Sequence, residues 1–94
     1  MGTFHQDKGD LHGITVVVDT KGAKVYIGRC DTQNPMEIVL LDVDEHEDGV
    51  DGKSKQDYIQ RAAQFGTWKK HERVAVSMVE VVSVTRLGDL ADGL

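Results

Sequence analysis

Six acidic residues fall within the ten positions from 42 to 51, and this stretch is the first place where the chain could hold a metal ion. A calcium loop read from Asp44 requires oxygen ligands at positions 1, 3 and 5, glycine at position 6 and a bidentate glutamate at position 12. Asp44 and Gly49 fit positions 1 and 6, but position 3 is His46 and position 12 is Lys55. A cation in place of the glutamate favours an acidic, solvated turn over a calcium site.

A transition-metal site is the second hypothesis for the same stretch. Its candidate ligands are Asp44, His46 and Asp48. Zinc sites use three or four ligands at recurring spacings, and these residues do not have such a spacing. A surface histidine among carboxylates is the favoured interpretation, so we expect no metal and no cofactor. A metal-binding protein that uses residues 42–51 remains an alternative.

A basic and aromatic segment follows, and it is the best local candidate for a binding site. Its residues are Arg61, Trp68, Lys69, Lys70 and Arg73. An aromatic face beside cations is what single-stranded nucleic acid binds. The favoured interpretation is that Trp68 folds back onto the end of a helix, while the lysines interact with the helix dipole. RNA binding through this segment remains an alternative.

Motifs for nucleophilic catalysis are missing from the sequence. Ser54, Ser77 and Ser83 lie outside any Gly-x-Ser-x-Gly turn. Cys30 lies on a predicted strand, where cysteine usually acts as a small buried hydrophobe. No glycine-rich phosphate loop follows a strand. The sequence therefore predicts a protein that is not an enzyme.

Composition narrows the function classes further. The 94 residues are enough for one domain, and their net charge is −5. Residues 1–52 hold eleven acidic and four basic residues, whereas residues 53–88 hold seven basic and three acidic ones. Because nucleic-acid backbones are bound mainly through Lys and Arg, the acidic total argues against broad nucleic-acid affinity. One cysteine and the lack of a long apolar run predict a cytoplasmic protein without membrane contact.

Residue patterns predict five strands and one helix. The predicted strands are residues 14–20, 25–30, 36–46, 73–78 and 81–87. The third strand is apolar on both alternating faces from Ile38 to Leu41, which predicts that it is covered on two sides. Asp42 and Asp44 lie two residues apart on this strand, so we expect them to share a face.

The helix is predicted over residues 54–66. Ser54 is a favourable N-cap with Asp57 three residues later, and Gly66 is expected to end the helix as a left-handed C-terminal cap. Tyr58, Ile59, Ala62, Ala63 and Phe65 are expected to form its apolar side.

These elements predict a mainly β fold with one helix, in the order β-β-β-α-β-β. Short antiparallel strands in this number favour a small five-stranded barrel, since closure removes exposed edges. The barrel is expected to span residues 13–88, with the inserted helix capping an open end. Residues 1–12 and 89–94 are expected to be flexible tails.

Two segments resemble the conserved motifs of Sm-like proteins, a family of small SH3-like barrels. Residues 16–47 are similar to the first motif, and residues 74–87 are similar to the second, so that the resemblance covers about half the chain. The positions that match the first motif in order are Gly22, Gly28, Met36, Ile38, Leu40, Asp42 and Asp44. The resemblance implies a barrel, and it implies assembly into rings in which the fourth strand of one subunit pairs with the fifth of the next.

The positions that bind RNA in that family differ in this chain. Glu37 stands where the family has an asparagine that contacts bases, and Ser77 and Met78 stand where it has an Arg-Gly or a similar pair. A carboxylate repels phosphate and cannot donate a hydrogen bond, so these residues disfavour RNA at that site. A helix within the variable loop also replaces the family's N-terminal helix. We therefore expect a binding or assembly module with a protein partner or self-association.

Overall fold

The computed structural model describes residues 11–92, with five strands and two helices. The strands are β1 (Thr15–Thr20), β2 (Lys24–Gln33), β3 (Glu37–Glu47), β4 (His71–Ser77) and β5 (Val81–Arg86). The helices are α1 (Lys55–Phe65) and α2 (Leu87–Asp92), and short 3-10 turns span Val50–Gly52 and Met78–Glu80. The predicted succession of three strands, a helix and two strands is confirmed, and α2 is an additional element.

All five strands form one antiparallel sheet. Across the sheet the order is β4-β3-β2-β1-β5. This order differs from the order of the strands along the chain, because β5 returns to pair with β1 through Val17 and Thr85 and their neighbours. The outer strands of the sheet are therefore β4 and β5.

Apolar residues are buried on both faces of the sheet. One face forms a core that contains Val16, Val18, Cys30, Ile38, Leu40, Val43 and Val76. On the other face, Val17, Val25 and Ile27 pack against α1 and α2. Ile38, Val39 and Leu40 are all buried, which confirms the two-sided burial predicted for the third strand. The expectation that α1 caps an open end is wrong, because α1 packs on a face of the sheet.

A bulge interrupts the pairing of β2 with β3. Ile27 pairs with Asp44 and Arg29 pairs with Leu41, so β3 has one extra residue opposite Gly28. Asp42 takes up the extra residue with a φ of 52°, and a bulge of this kind reverses the face on which the following side chains lie. Asp42 is exposed and Asp44 is buried. The two aspartates, which were expected to share a face, thus differ in burial and in partner, because Asp42 pairs with Arg29 and Asp44 bonds to Tyr58.

Helix α1 begins and ends where the sequence predicts. The Ser54 hydroxyl accepts a 3.1 Å hydrogen bond from Asp57 N, and Ser54 N donates to Asp57 Oδ2, so the capping box is complete. Gly66 N donates to Ala62 O and has a φ of 81°, but its ψ of −175° is extended. Gly66 thus ends the helix with a positive φ, though not in the left-handed helical conformation that was expected.

The predicted tails are described in part. Residues 1–10 and 93–94 lie outside the described residues. Leu11 packs against the core, and the ring of His12 is hydrogen-bonded to Asp31 O. At the other end, α2 runs to Asp92 where a flexible tail from residue 89 was expected, and Leu87 and Leu90 pack on the sheet.

Candidate functional site

The three candidate metal ligands are engaged with different groups. Asp44 Oδ2 accepts a 2.9 Å hydrogen bond from the Tyr58 hydroxyl. His46 Nε2 lies 2.8 Å from Lys53 O, and Asp48 Oδ1 accepts a 3.0 Å bond from Lys55 N. Within residues 11–92, no group of three or more His, Cys, Asp or Glu side chains is arranged to hold a metal ion. The acidic stretch instead forms the end of β3 and the start of its connection to α1.

Lys55, which occupies the position of the calcium-binding glutamate, anchors the start of α1 to the end of β1. Its Nζ donates to Asp19 Oδ1 at 2.8 Å, to Thr20 O at 2.9 Å and to Gly22 O at 2.6 Å. An ammonium group has three N–H donors, so these three acceptors use all of them. The lysine therefore has a structural role, which fixes the helix on the sheet.

A cavity of about 350 Å³ opens between the end of β3, helix α1 and the segment that follows the helix. It is lined by Asp44, His46, Asp51, Lys53, Tyr58, Arg61, Ala62, Phe65, Gly66, Thr67 and Trp68. This volume is within the range of about 300–1,000 Å³ that is typical of small-molecule sites. The cavity therefore brings together two of the candidate metal ligands, Asp44 and His46, and part of the basic and aromatic segment.

Asp44 is the buried acid of this cavity. Its side chain is only 10 % exposed. While Oδ2 is bonded to Tyr58, Oδ1 is buried without a hydrogen-bond partner among the described residues. Lys70 Nζ lies 3.9 Å from Oδ1, which is beyond hydrogen-bond distance. One oxygen of an oriented carboxylate thus lacks a donor.

Tyr58 keeps this carboxylate in place. Burial raises the pKa of the Tyr58 hydroxyl far above its usual value, and the hydrogen bond to Asp44 and the charge of Asp44 raise it further. The hydroxyl therefore stays protonated and donates to Asp44 at physiological pH. The ring of His46 stacks on the Tyr58 ring at a centroid distance of 4.8 Å, which fixes the tyrosine from its other side.

Two aromatic side chains at the cavity are exposed to solvent. Trp68 is 87 % exposed and Phe65 is 76 % exposed. The interpretation that Trp68 folds back onto the helix end is therefore wrong, and so is the placement of Phe65 on the buried side of α1. Large exposed aromatic residues are unusual on a monomer surface and mark binding sites more often than isolated exposed aliphatic ones do.

The basic segment divides into paired and unpaired cations. Lys69 Nζ lies 3.8 Å from Asp42 Oδ1 and 3.6 Å from Glu72 Oε1. Lys70 lies near Asp44 and donates to Glu45 O. Arg61 and Arg73 have no ion pair within the described part of the chain, and of these two only Arg61 lines the cavity. The structure thus brings Arg61 and Trp68 together at the cavity, while Arg73 lies on β4.

The residues that differ from the Sm-like RNA site meet at one end of the sheet. Glu37 pairs with Ser77 across β3 and β4, and Met78 N donates to Met36 O at 2.9 Å. Glu37 from the first motif therefore lies close to Ser77 and Met78 from the second, and its carboxylate gives this end of the sheet a negative charge.

Tyr58 and Lys53 line the cavity but were not predicted as site residues. Tyr58 was expected only as an apolar residue of the helix, and Lys53 had no predicted role. A tyrosine on the buried side of a helix needs a hydrogen-bond partner for its hydroxyl, so Tyr58 was a detectable signal. The sequence offered no way to identify Asp44 as that partner, since the bulge that turns Asp44 inwards depends on the pairing of β2 with β3.

Comparison with known proteins provides no relative from which a role can be transferred. No protein-family model matches the sequence, and no curated protein matches it significantly. None of the helices within residues 11–92 has the length and apolar character of a membrane span.

Proposed function

We propose that this protein is a non-catalytic assembly module, an Sm-like small barrel whose copies associate through their outer strands. In this arrangement β4 of one copy pairs with β5 of the next. The observation that carries the proposal is the sheet order, since β4 and β5 are the two outer strands. Outer strands present unpaired backbone N–H and C=O groups, which can extend the sheet into another chain.

Curling of the sheet supports the barrel. Val76 of β4 and Val81 and Val84 of β5 pack on the same core, although their strands are at opposite edges of the sheet. A sheet whose two edges contribute to one core must bend strongly across its width. A cavity of about 310 Å³ lies between β4 and the β1–β2 hairpin, which is consistent with a sheet that bends β4 towards strands with which it does not pair.

The composition of the outer strands supports self-association. Residues 74–77 of β4 and residues 81–85 of β5 contain no charged side chain and no proline. Proteins that avoid edge-to-edge pairing place lysine, proline or other charges at these positions. Val82 of β5 is 61 % exposed and provides an apolar side chain at the edge. Because β4 and β5 are different surfaces, repeated pairing produces a ring when the rotation closes.

Sedimentation velocity and native mass spectrometry test this proposal on the full chain at micromolar concentrations. We expect a mass that is a multiple of the 10.4 kDa chain. Val82→Lys should shift the distribution towards the monomer, because a charge at the edge must be desolvated on pairing. Val50→Lys is the matched control, since Val50 is also exposed but lies in the connection between β3 and α1. A monomeric mass for the unmodified chain throughout this range would contradict the proposal.

A further inference from the structure

The cavity at the end of β3 lies apart from the outer strands on which the proposed assembly depends. Its lining residues come from β3, from α1 and from the segments on either side of the helix, and none lies on β4 or β5. Three kinds of group meet there: a buried carboxylate, exposed aromatic rings and cations without ion pairs. A ligand for this site must satisfy all three.

The carboxylate requires an N–H or O–H donor. Asp44 Oδ1 is buried and has no hydrogen-bond partner among the described residues, the Lys70 ammonium stays 3.9 Å away, and Tyr58 donates to the other oxygen. Buried carboxylate oxygens are rarely left without a donor, because such an oxygen loses its hydration and gains nothing in return. A ligand with an N–H group at the base of the cavity supplies the missing bond after a small adjustment of the side chains around Asp44.

The rim favours a flat ring with an attached anion. Trp68 presents an indole face to solvent, and stacking on such a face is sequence-tolerant for heteroaromatic bases. Arg61 and Lys53 line the same cavity and have no ion pair within residues 11–92. Their positive charge disfavours a purely cationic ligand such as a lysine side chain, and it favours a phosphate.

We propose that this cavity binds a free nucleotide. The base stacks on Trp68 and donates an N–H hydrogen bond to Asp44, and the phosphate pairs with Arg61 and Lys53. A free nucleotide is favoured over a nucleic-acid strand because Lys69, the cation next to Trp68, already lies close to Asp42 and Glu72. The net charge of −5 also leaves few cations for a longer phosphate backbone.

Fluorescence provides a direct assay, because Trp68 is the only tryptophan of the chain. The full chain is titrated with adenosine, guanosine, cytidine and uridine monophosphates, and stacking is expected to quench the emission of Trp68 in a saturable way. Nucleosides without phosphate should bind about tenfold more weakly, and so should the Arg61→Gln variant, since each lacks a charge-assisted hydrogen bond. Arg73→Gln is the matched control, and it should bind as the unmodified chain does.

Asp44→Asn tests the base contact. The amide can accept the Tyr58 hydrogen bond through its oxygen, but it then presents an NH₂ group towards the cavity, where a second N–H donor cannot pair. We expect about tenfold weaker binding at unchanged circular dichroism. If this variant does not fold, the exposed Arg61→Gln variant still decides the outcome.

Four results would overturn the proposal. The first is the absence of saturable quenching at millimolar nucleotide, and the second is an equal loss of affinity in Arg61→Gln and Arg73→Gln, which indicates unspecific charge attraction. The third is a short single-stranded RNA that binds much more tightly than the mononucleotide with a steep salt dependence, which indicates strand binding. Binding of inorganic phosphate with the affinity of the nucleotide would also remove the role of the base.

Discussion

Adding a single methyl group at Gly28 should destabilise this fold measurably. Gly28 lies opposite the bulge of β3, and a Cβ at this position would be 3.0 Å from Leu41 O, 3.1 Å from Val43 Cγ2 and 3.2 Å from Leu40 Cβ. The first of these atoms belongs to the backbone of the central strand pair, so it cannot move as freely as the end of a side chain. Gly28→Ala therefore forces β2 and β3 apart at the bulge.

Two opposing effects set the magnitude. Overpacking of a core by one methyl group or methylene costs about 1–3 kcal/mol. Gly28 has no positive φ, so alanine also lowers the entropy of the unfolded chain, which stabilises by about 0.4–1 kcal/mol. The steric term is larger, and we expect a net loss of about 1–2 kcal/mol in the free energy of unfolding. For a domain of this size, the Tm should fall by roughly 5–15 °C.

Thermal and urea unfolding followed by far-ultraviolet circular dichroism measure this loss. Tryptophan fluorescence is a poor probe here, because Trp68 is already exposed in the folded state. Gly22→Ala is the matched control: a Cβ at Gly22 meets nothing within 4 Å, so this variant should be neutral or slightly more stable. If Gly28→Ala is as stable as Gly22→Ala, β2 and β3 do not approach each other at the bulge as closely as the structure indicates.

Three further predictions concern buried and paired groups. Lys55→Met should lose about 1–3 kcal/mol of stability because the acceptors of its Nζ are left unpaired, whereas the half-exposed Lys69→Met should change stability by less than about 0.5 kcal/mol in urea unfolding. Cys30 is buried, and burial, together with the charge of Asp31, raises the pKa of its thiol. Iodoacetamide should therefore label Cys30 only in denaturant, which mass spectrometry can show. Rapid labelling of the native protein would contradict this prediction. The hydrogen bond from Lys24 lowers the pKa of Glu45 in the folded state, so Glu45 contributes stability above the unfolded pKa of about 4.3 and loses it as the pH falls through the lower folded value. The stability difference between the unmodified chain and Glu45→Gln should therefore shrink on acidification in urea unfolding at several pH values, and a difference that does not depend on pH would refute the role of this carboxylate.

The local elements of this protein could be predicted from its sequence. Helix α1 was predicted with both ends because its signals are short-range: Ser54 and Asp57 bond to each other within one turn, and Gly66 ends the helix by its own backbone freedom. Strand β3 was predicted with burial on two sides, since an apolar run without alternation is informative by itself. The burial of Cys30 was predicted from its place on a strand, and it is confirmed.

Only the tertiary structure decided which side chains face each other. One extra residue at Asp42 reverses the faces of β3, and alternation along a strand cannot reveal a bulge that arises from pairing with Gly28. The same shift turns Asp44 towards Tyr58, which comes from a helix fourteen residues later in the chain. The exposure of Trp68 could not be predicted either, because the burial of a side chain depends on whether distant segments approach it. Here residues of α1 and α2 already cover the sheet face beneath α1.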